Sequence, residues 1–371
     1  MKLFQCNHCG HPVYFENYFC INCNATLGFD PAEMDLLAVK PDGEGSLIAF
    51  SDSEANPLRQ KKYTSCLNAQ YNVCNWLLPA GSDRQYCVAC ELNRTIPDLS
   101  QAGNLEKWGR IEQAKHRLVY SLLRFRLPVQ PKLAGDDDGL AFDFKADEQR
   151  PGEERLLTGH DNGIITLNIA EADDVIREME RRNMDEVYRT LLGHFRHEIG
   201  HYYWDRLIRD TGQLDAFRRL FGDESVDYGT ALQQHYAKGS TDDWQTDYIS
   251  AYASSHPWED WAETWAHYLH MIDTIETAWS FGVTLNPRSA DPSSQMSARE
   301  DIDPYAAINF DEIIKRWIPL TFVMNSLNRS MGMKDSYPFV INGAVQKKLN
   351  FIHNTIKQSV LPGGTPLRRA G

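Results

Sequence analysis

Leu191-Leu192-Gly193-His194-Phe195-Arg196-His197-Glu198-Ile199-Gly200-His201 is the stretch from which the chain is best read. It contains HExxH within a helical pattern. His197 and His201, four residues apart, project from one helix face and can reach one metal ion. Glu198 follows the first imidazole and can touch a metal-held water without ligating. There it would serve as general base and then as proton donor to a leaving amine. A third protein ligand is needed, with the fourth position left for water. The HExxHxxGxxH extension is absent, because Trp204 and Leu207 stand where its Gly and third His would fall.

The third ligand is therefore sought downstream, in Ser255-His256-Pro257-Trp258-Glu259-Asp260-Trp261-Ala262-Glu263-Thr264-Trp265-Ala266-His267. Pro257 suits a first helical turn, and Glu259 with Asp260 complements the positive end of that helix. Glu259 and Glu263 share a face. Glu259 is expected to ligate while Glu263 accepts a hydrogen bond from a ligand imidazole, with Glu263 as ligand in its place the alternative. His194 is expected to be core or a neighbour of the site, and Trp204, Trp258, Trp261 and Trp265 to pack the interior. The acidic turn Asp136–Asp138 lacks the remainder of a calcium loop.

All eight cysteines fall between Cys6 and Cys90. Cys6-x2-Cys9 and Cys20-x2-Cys23, ten residues apart, suit a tetrahedral structural zinc; rubredoxin-type iron is the chemical competitor. Cys66-x7-Cys74-x12-Cys87-x2-Cys90 forms a second set, assigned a second structural zinc. The expected zinc content is one catalytic and two structural ions. In modules this small, metal replaces a core that the chain cannot build.

The start, MKLFQCNHCG, has no apolar run of a secretory signal, and no stretch reaches the ~20 apolar residues of a membrane helix. A cytoplasmic location without membrane attachment is expected. A net charge of −13 disfavours nucleic acid as a partner. The cysteine-bearing residues 1–100 are not basic either, with 7 Lys+Arg against 11 Asp+Glu.

The expected fold class is α+β: small zinc-ribbon modules, then a mostly helical zincin-like domain with a small sheet. Residues 1–28 read as a ribbon and 29–98 as a linker, loop-like over 29–57, with the second cysteine module. Residues 99–360 read as the zincin-like domain and 361–371 as a disordered tail. Helices are expected over 105–127, 171–182, 185–209 with Asp185 as cap, 212–221, 225–237, 242–253, 257–281, 309–330 and 338–358. Strands are expected at 45–50, 139–146 and 164–169, the last a candidate to hold an extended substrate by β-augmentation.

HEIGHYYW and EDWAETWAHYLH, with CNHCGHP, CINC and CVACELNRTIPDLS ahead of them, resemble the bacterial zinc-binding metallopeptidases that carry an N-terminal zinc ribbon. The resemblance runs from about Met1 to His353. More distantly, Tyr252-x6-Glu259-x3-Glu263 is similar to the gluzincin arrangement of anthrax lethal factor. That likeness implies Tyr252 as oxyanion donor, Glu259 as ligand and Glu263 as support for a ligand imidazole. Asp260-Trp261 stands where that relative has two aromatics. The function implied is hydrolysis of a peptide or protein substrate through a zinc-activated water. The alternative is an inactive, zinc-stabilised protein whose ribbons recruit protein partners, although an inactive relative would be expected to lose Glu198 or a ligand.

Overall fold

A computed structural model describes residues 1–51, 60–133, 135, 138–146, 158–174, 176–177, 190–240, 242–288, 296–299 and 301–360. The tail 361–371, Asp185, Asp136, Asp137 and half of the helix expected over 171–182 lie outside these residues. The chain forms two compact units. One comprises Leu3–Arg124 and Pro128–Arg177; the other comprises Met1–Lys2, Phe125–Leu127 and Glu178–Gly371.

In the cysteine-bearing unit, β1 (Phe4–Gln5) and β2 (Pro12–Val13) make the antiparallel arm of the first ribbon. A five-stranded antiparallel sheet follows, in the order β3 (Thr26–Asp30), β4 (Asp35–Pro41), β5 (Leu47–Ala49), β6 (Lys62–Ser65) and β7 (Leu77–Pro79). The loop expected over 29–57 is thus replaced by strand through much of its length. Leu36, Leu37, Ala38 and Val39 are all buried, so β4 is covered on both faces and shows no in-out alternation. Gly28 is needed in β3, because a Cβ there would sit 2.6 Å from the Leu77 side chain.

A second sheet runs β10 (Gly159–Asp161), β11 (Ile164–Asn168), β9 (Ala141–Lys145), β8 (Asn93–Thr95). β11 pairs with β10 on one side and β9 on the other. It is an interior strand, which corrects the expectation that it could receive a substrate strand: β9 takes one edge along its length and β10 the other over Ile164–Thr166. Helix α1 (Asn104–Arg124) buries Trp108, Ile111, Leu118 and Tyr120 in this unit.

The other unit is helical: α2 (Leu191–Trp204), α3 (Leu214–Phe221), α4 (Tyr228–Lys238), α5 (Pro257–Ser280), α6 (Phe310–Ser330) and α7 (Gly343–Val360). The short pair β12 (Thr284–Leu285) and β13 (Ala298–Arg299) completes it. Thr190, rather than Asp185, caps α2, its hydroxyl accepting from the Gly193 N–H at 2.9 Å. Beyond Trp204 the helix continues as a π-turn, Asp205–Arg209. The helix expected over 242–253 is absent; Trp244–Thr246 and Tyr252–Ser255 are separate 3-10 turns.

Helices α2 and α5 form the heart of this unit. Gly200 permits their close approach: a Cβ there would lie 3.0 Å from Ala262 Cα and 3.2 Å from Trp265 Cβ. The Trp261 indole N–H donates to the Gly200 carbonyl at 2.8 Å, and Tyr203 stacks on Trp265 with centroids 5.3 Å apart. Burying each such large side chain stabilises the fold by roughly 1.5–3 kcal/mol, so this seam is a major part of the unit's stability.

Candidate metal centre

Three ligand-capable atoms meet where α2 crosses α5. The Nε2 atoms of His197 and His201 are 3.2 Å apart. Glu259 places Oε2 3.0 Å from the first and Oε1 3.5 Å from the second. All three residues are buried. A tetrahedral zinc with bonds of about 2.0–2.1 Å requires ligand atoms about 3.3 Å apart, so this donor set fits zinc.

The surroundings order the ligand atoms. His197 Nδ1–H donates to Glu263 Oε1 at 2.8 Å, which fixes the tautomer and leaves Nε2 to face Glu259. Glu263 Oε2 in turn accepts from the Ser250 hydroxyl at 2.6 Å. Glu263 thus sits behind His197, while Glu259 converges with the imidazoles. Burial raises the Glu259 carboxyl, but the His201 and His197 imidazoles outweigh it and hold the group well below its ordinary range.

Glu198, in the same α2 turn, has Oε1 3.4 Å from His194 Nε2. Burial pushes its carboxyl up; the hydrogen bond from His194 and the charges of His197 and His201 more than reverse this, leaving it lowered and ionised at neutral pH. The Tyr252 ring lies 5.9 Å from that of His197, and burial raises its phenol well above the ordinary value. Trp258 packs its ring 3.9 Å from that of His201, whereas Trp261 and Trp265 are fully buried.

Tyr228 and Ser250 were not found by sequence reasoning. The Tyr228 hydroxyl donates to Glu259 Oε1 at 2.6 Å, from a position 31 residues upstream. Neither residue belongs to a spaced motif, so only the fold brings them in.

The cysteines group as their spacing suggests. Cys6, Cys9, Cys20 and Cys23 form one set, and Cys66, Cys74, Cys87 and Cys90 another; within each, the sulfurs lie within 4.8 Å of one another. The Cys6–Cys23, Cys9–Cys20 and Cys74–Cys87 sulfur separations are 3.7, 3.6 and 3.7 Å. Four thiolates around zinc, with bonds of about 2.3 Å, sit about 3.8 Å apart. The second set has a neighbourhood that the spacing did not announce. His116 Nε2 is 3.7 Å from Cys90 Sγ, and the wholly buried pair Lys115–Glu112, 2.8 Å apart, lies alongside.

Among the described residues no helix is long and apolar enough to cross a membrane. No solved structure matches the chain. Uncharacterized proteins of Mycobacterium tuberculosis and Mycobacterium bovis are each 41% identical to it over 367 residues, covering 99% of this chain and 98% of theirs. A zinc-ribbon domain profile matches residues 3–101. A second profile, described as "Putative zinc-binding metallo-peptidase", matches residues 104–355. With more than half of its length inside that second match, the chain belongs to this zinc-binding metallopeptidase family, with a zinc ribbon ahead of the peptidase segment.

Proposed function

We propose that the chain is a zinc-dependent peptidase whose catalytic ion is held by His197, His201 and Glu259. The observation that carries this reading is the convergence of two Nε2 atoms 3.2 Å apart with the Glu259 carboxylate, whose oxygens lie 3.0 and 3.5 Å from them, and Glu198 on the same helix turn. Bound there, zinc supplies a Lewis acid and makes a water acidic enough to lose its proton near neutral pH. Glu198 takes that proton and passes it to the leaving amine. Glu263 holds His197 through Nδ1. The Tyr252 phenol, kept protonated by its buried setting, donates to the oxyanion that develops on the substrate carbonyl.

The two cysteine sets each hold a structural zinc, in ribbon modules at 1–28 and 29–98 ahead of a catalytic domain at 99–360. The substrate is a peptide or protein. The working location is a reducing compartment, the cytoplasm, where thiols serve metal and not disulfides; none of the eight cysteines is in a disulfide.

The test is hydrolysis of a peptide library by wild type and Glu198→Gln, both loaded with zinc. The amide is nearly isosteric but cannot take the proton. A loss of at least about 10²-fold is expected, with zinc retained. Equal cleavage by the two proteins would refute the assignment of Glu198. Absence of cleavage by wild type across the library would favour a zinc-stabilised scaffold that recruits partners through its ribbons.

A further inference from the structure

Glu259 turns its two carboxylate oxygens to different neighbours. Oε2 faces His197 Nε2 at 3.0 Å, whereas Oε1, farther from its own imidazole neighbour at 3.5 Å from His201 Nε2, accepts the Tyr228 hydroxyl at 2.6 Å. A carboxylate can grip a cation through one oxygen or through both. A short hydrogen bond from a phenol to an ionised oxygen is among the stronger kinds, and its acceptor, the Glu259 carboxylate, is buried.

We propose that Tyr228 is a positioning residue for the metal centre: its hydroxyl occupies Oε1, so that Glu259 presents Oε2 alone to the ion. The proposal rests on the reading of His197, His201 and Glu259 as the ligand set.

The placement of Tyr228 is built into the junction of two helices. Asp227 caps α4, its carboxylate accepting from the Thr230 N–H at 2.7 Å. His256 caps α5, where Nδ1 accepts from the Trp258 N–H at 3.1 Å. With Nδ1 accepting, Nε2 carries the proton and donates to the Val226 carbonyl at 3.0 Å. One imidazole therefore ties the entry of α4 to the entry of α5, the helix that carries Glu259. The Tyr228 ring stands edge-on to His256 and Trp258, with centroids 5.2 and 5.7 Å away. No residue of α4 is buried, so these contacts, and not a core, hold the phenol in place.

Tyr228→Phe keeps the ring contacts and releases Oε1, which then turns to the ion beside Oε2. Cobalt(II) reports the change, because an added oxygen ligand weakens its visible absorption. The full-length protein is stripped of the accessible zinc with a mild chelator and loaded with cobalt. The same spectrum from His197→Ala is subtracted to remove the cysteine sites. A weakened and shifted difference band is expected for Tyr228→Phe, and the same for Tyr228→Leu, since the hydroxyl and not the ring sets the carboxylate. A difference band identical to wild type in both variants overturns the proposal, even if their melting temperatures fall, for that is what a purely structural tyrosine would give. If wild type itself shows no difference band, the ligand set fails and the proposal falls with it, a result distinct from the first.

Discussion

His197 lies between two carboxylates, with Glu263 Oε1 2.8 Å from Nδ1 and Glu259 Oε2 3.0 Å from Nε2. The two glutamates are four residues apart on α5, one helical turn, so a single straight helix supplies both sides of the imidazole. The arrangement makes them unequal. Glu263→Ala should leave a site that still binds zinc, at about 10- to 100-fold lower affinity, as expected when the partner behind a ligand imidazole is lost. Glu259→Ala should abolish binding at that site. Competition against a colorimetric chelator measures both, and equal losses would contradict the division of roles.

Zinc content should be three per chain by elemental analysis. His197→Ala should lower it by one without unfolding the protein. Cys6→Ser or Cys87→Ser should lower it by one and reduce thermal stability as well, because structural zinc contributes folding free energy directly. A wild-type content of two that His197→Ala leaves unchanged would remove the catalytic ion from the scheme.

Gly200→Ala tests the seam between α2 and α5. In an open helix the change would stabilise by about 1 kcal/mol. Here the added methyl meets the α5 backbone at Ala262, and overpacking of that kind costs about 1–3 kcal/mol. A lower melting temperature is expected, with weakened zinc binding, since separating the helices moves Glu259 from the imidazoles. A variant that melts higher than wild type would disprove the close-approach argument.

Tyr252→Phe should keep zinc and KM while kcat falls by about 10²-fold, because the hydroxyl is placed to meet charge that develops only in the transition state. A raised KM at unchanged kcat would reassign Tyr252 to substrate binding.

Acid stability offers a separate test in the cysteine-bearing unit. Burial raises the Asp143 carboxyl, but Arg94, Lys145 and Thr95 bring it down to about 2. A carboxyl lowered on folding contributes stability that is present above its unfolded value of about 4 and is lost as pH falls toward 2. Urea unfolding followed between pH 5 and 2 should show this decline. Asp143→Asn should be less stable at pH 7 and flatter across the acid range; an unchanged slope would show that the group is not depressed.

Much of the site was legible because its chemistry is local. HExxH and the CxxC pairs are held together by one helix or one turn, and Glu259 with Glu263 by another helix. What escaped was either non-local or lacked periodicity. β4 carries Leu36-Leu37-Ala38-Val39 buried on both faces, so the acidic residues around it read as loop. Residues 242–253 break into 3-10 turns although a helix was expected, and these turns bring Ser250 to Glu263 and Tyr252 to His197. Tyr228 approaches Glu259 only through packing of α4 against the start of α5, which no spacing encodes.

The seam between the two profile matches, at residues 101–104, is not a seam in the folded chain. Helix α1 opens the peptidase segment, yet its aromatic residues meet the cysteine modules. Trp108 meets Tyr71 with centroids 5.8 Å apart, and Tyr120 meets Phe15 and Phe29 at 5.6 and 6.1 Å. The His116 ring lies 5.2 Å from that of Trp76. A fragment beginning at residue 104 would expose this aromatic face to water and invite aggregation. A cut that frees residues 104 onward therefore separates α1 from the aromatic residues that cover it. The folded piece runs past α1, because β8 (Asn93–Thr95) pairs with β9 (Ala141–Lys145) in the same unit.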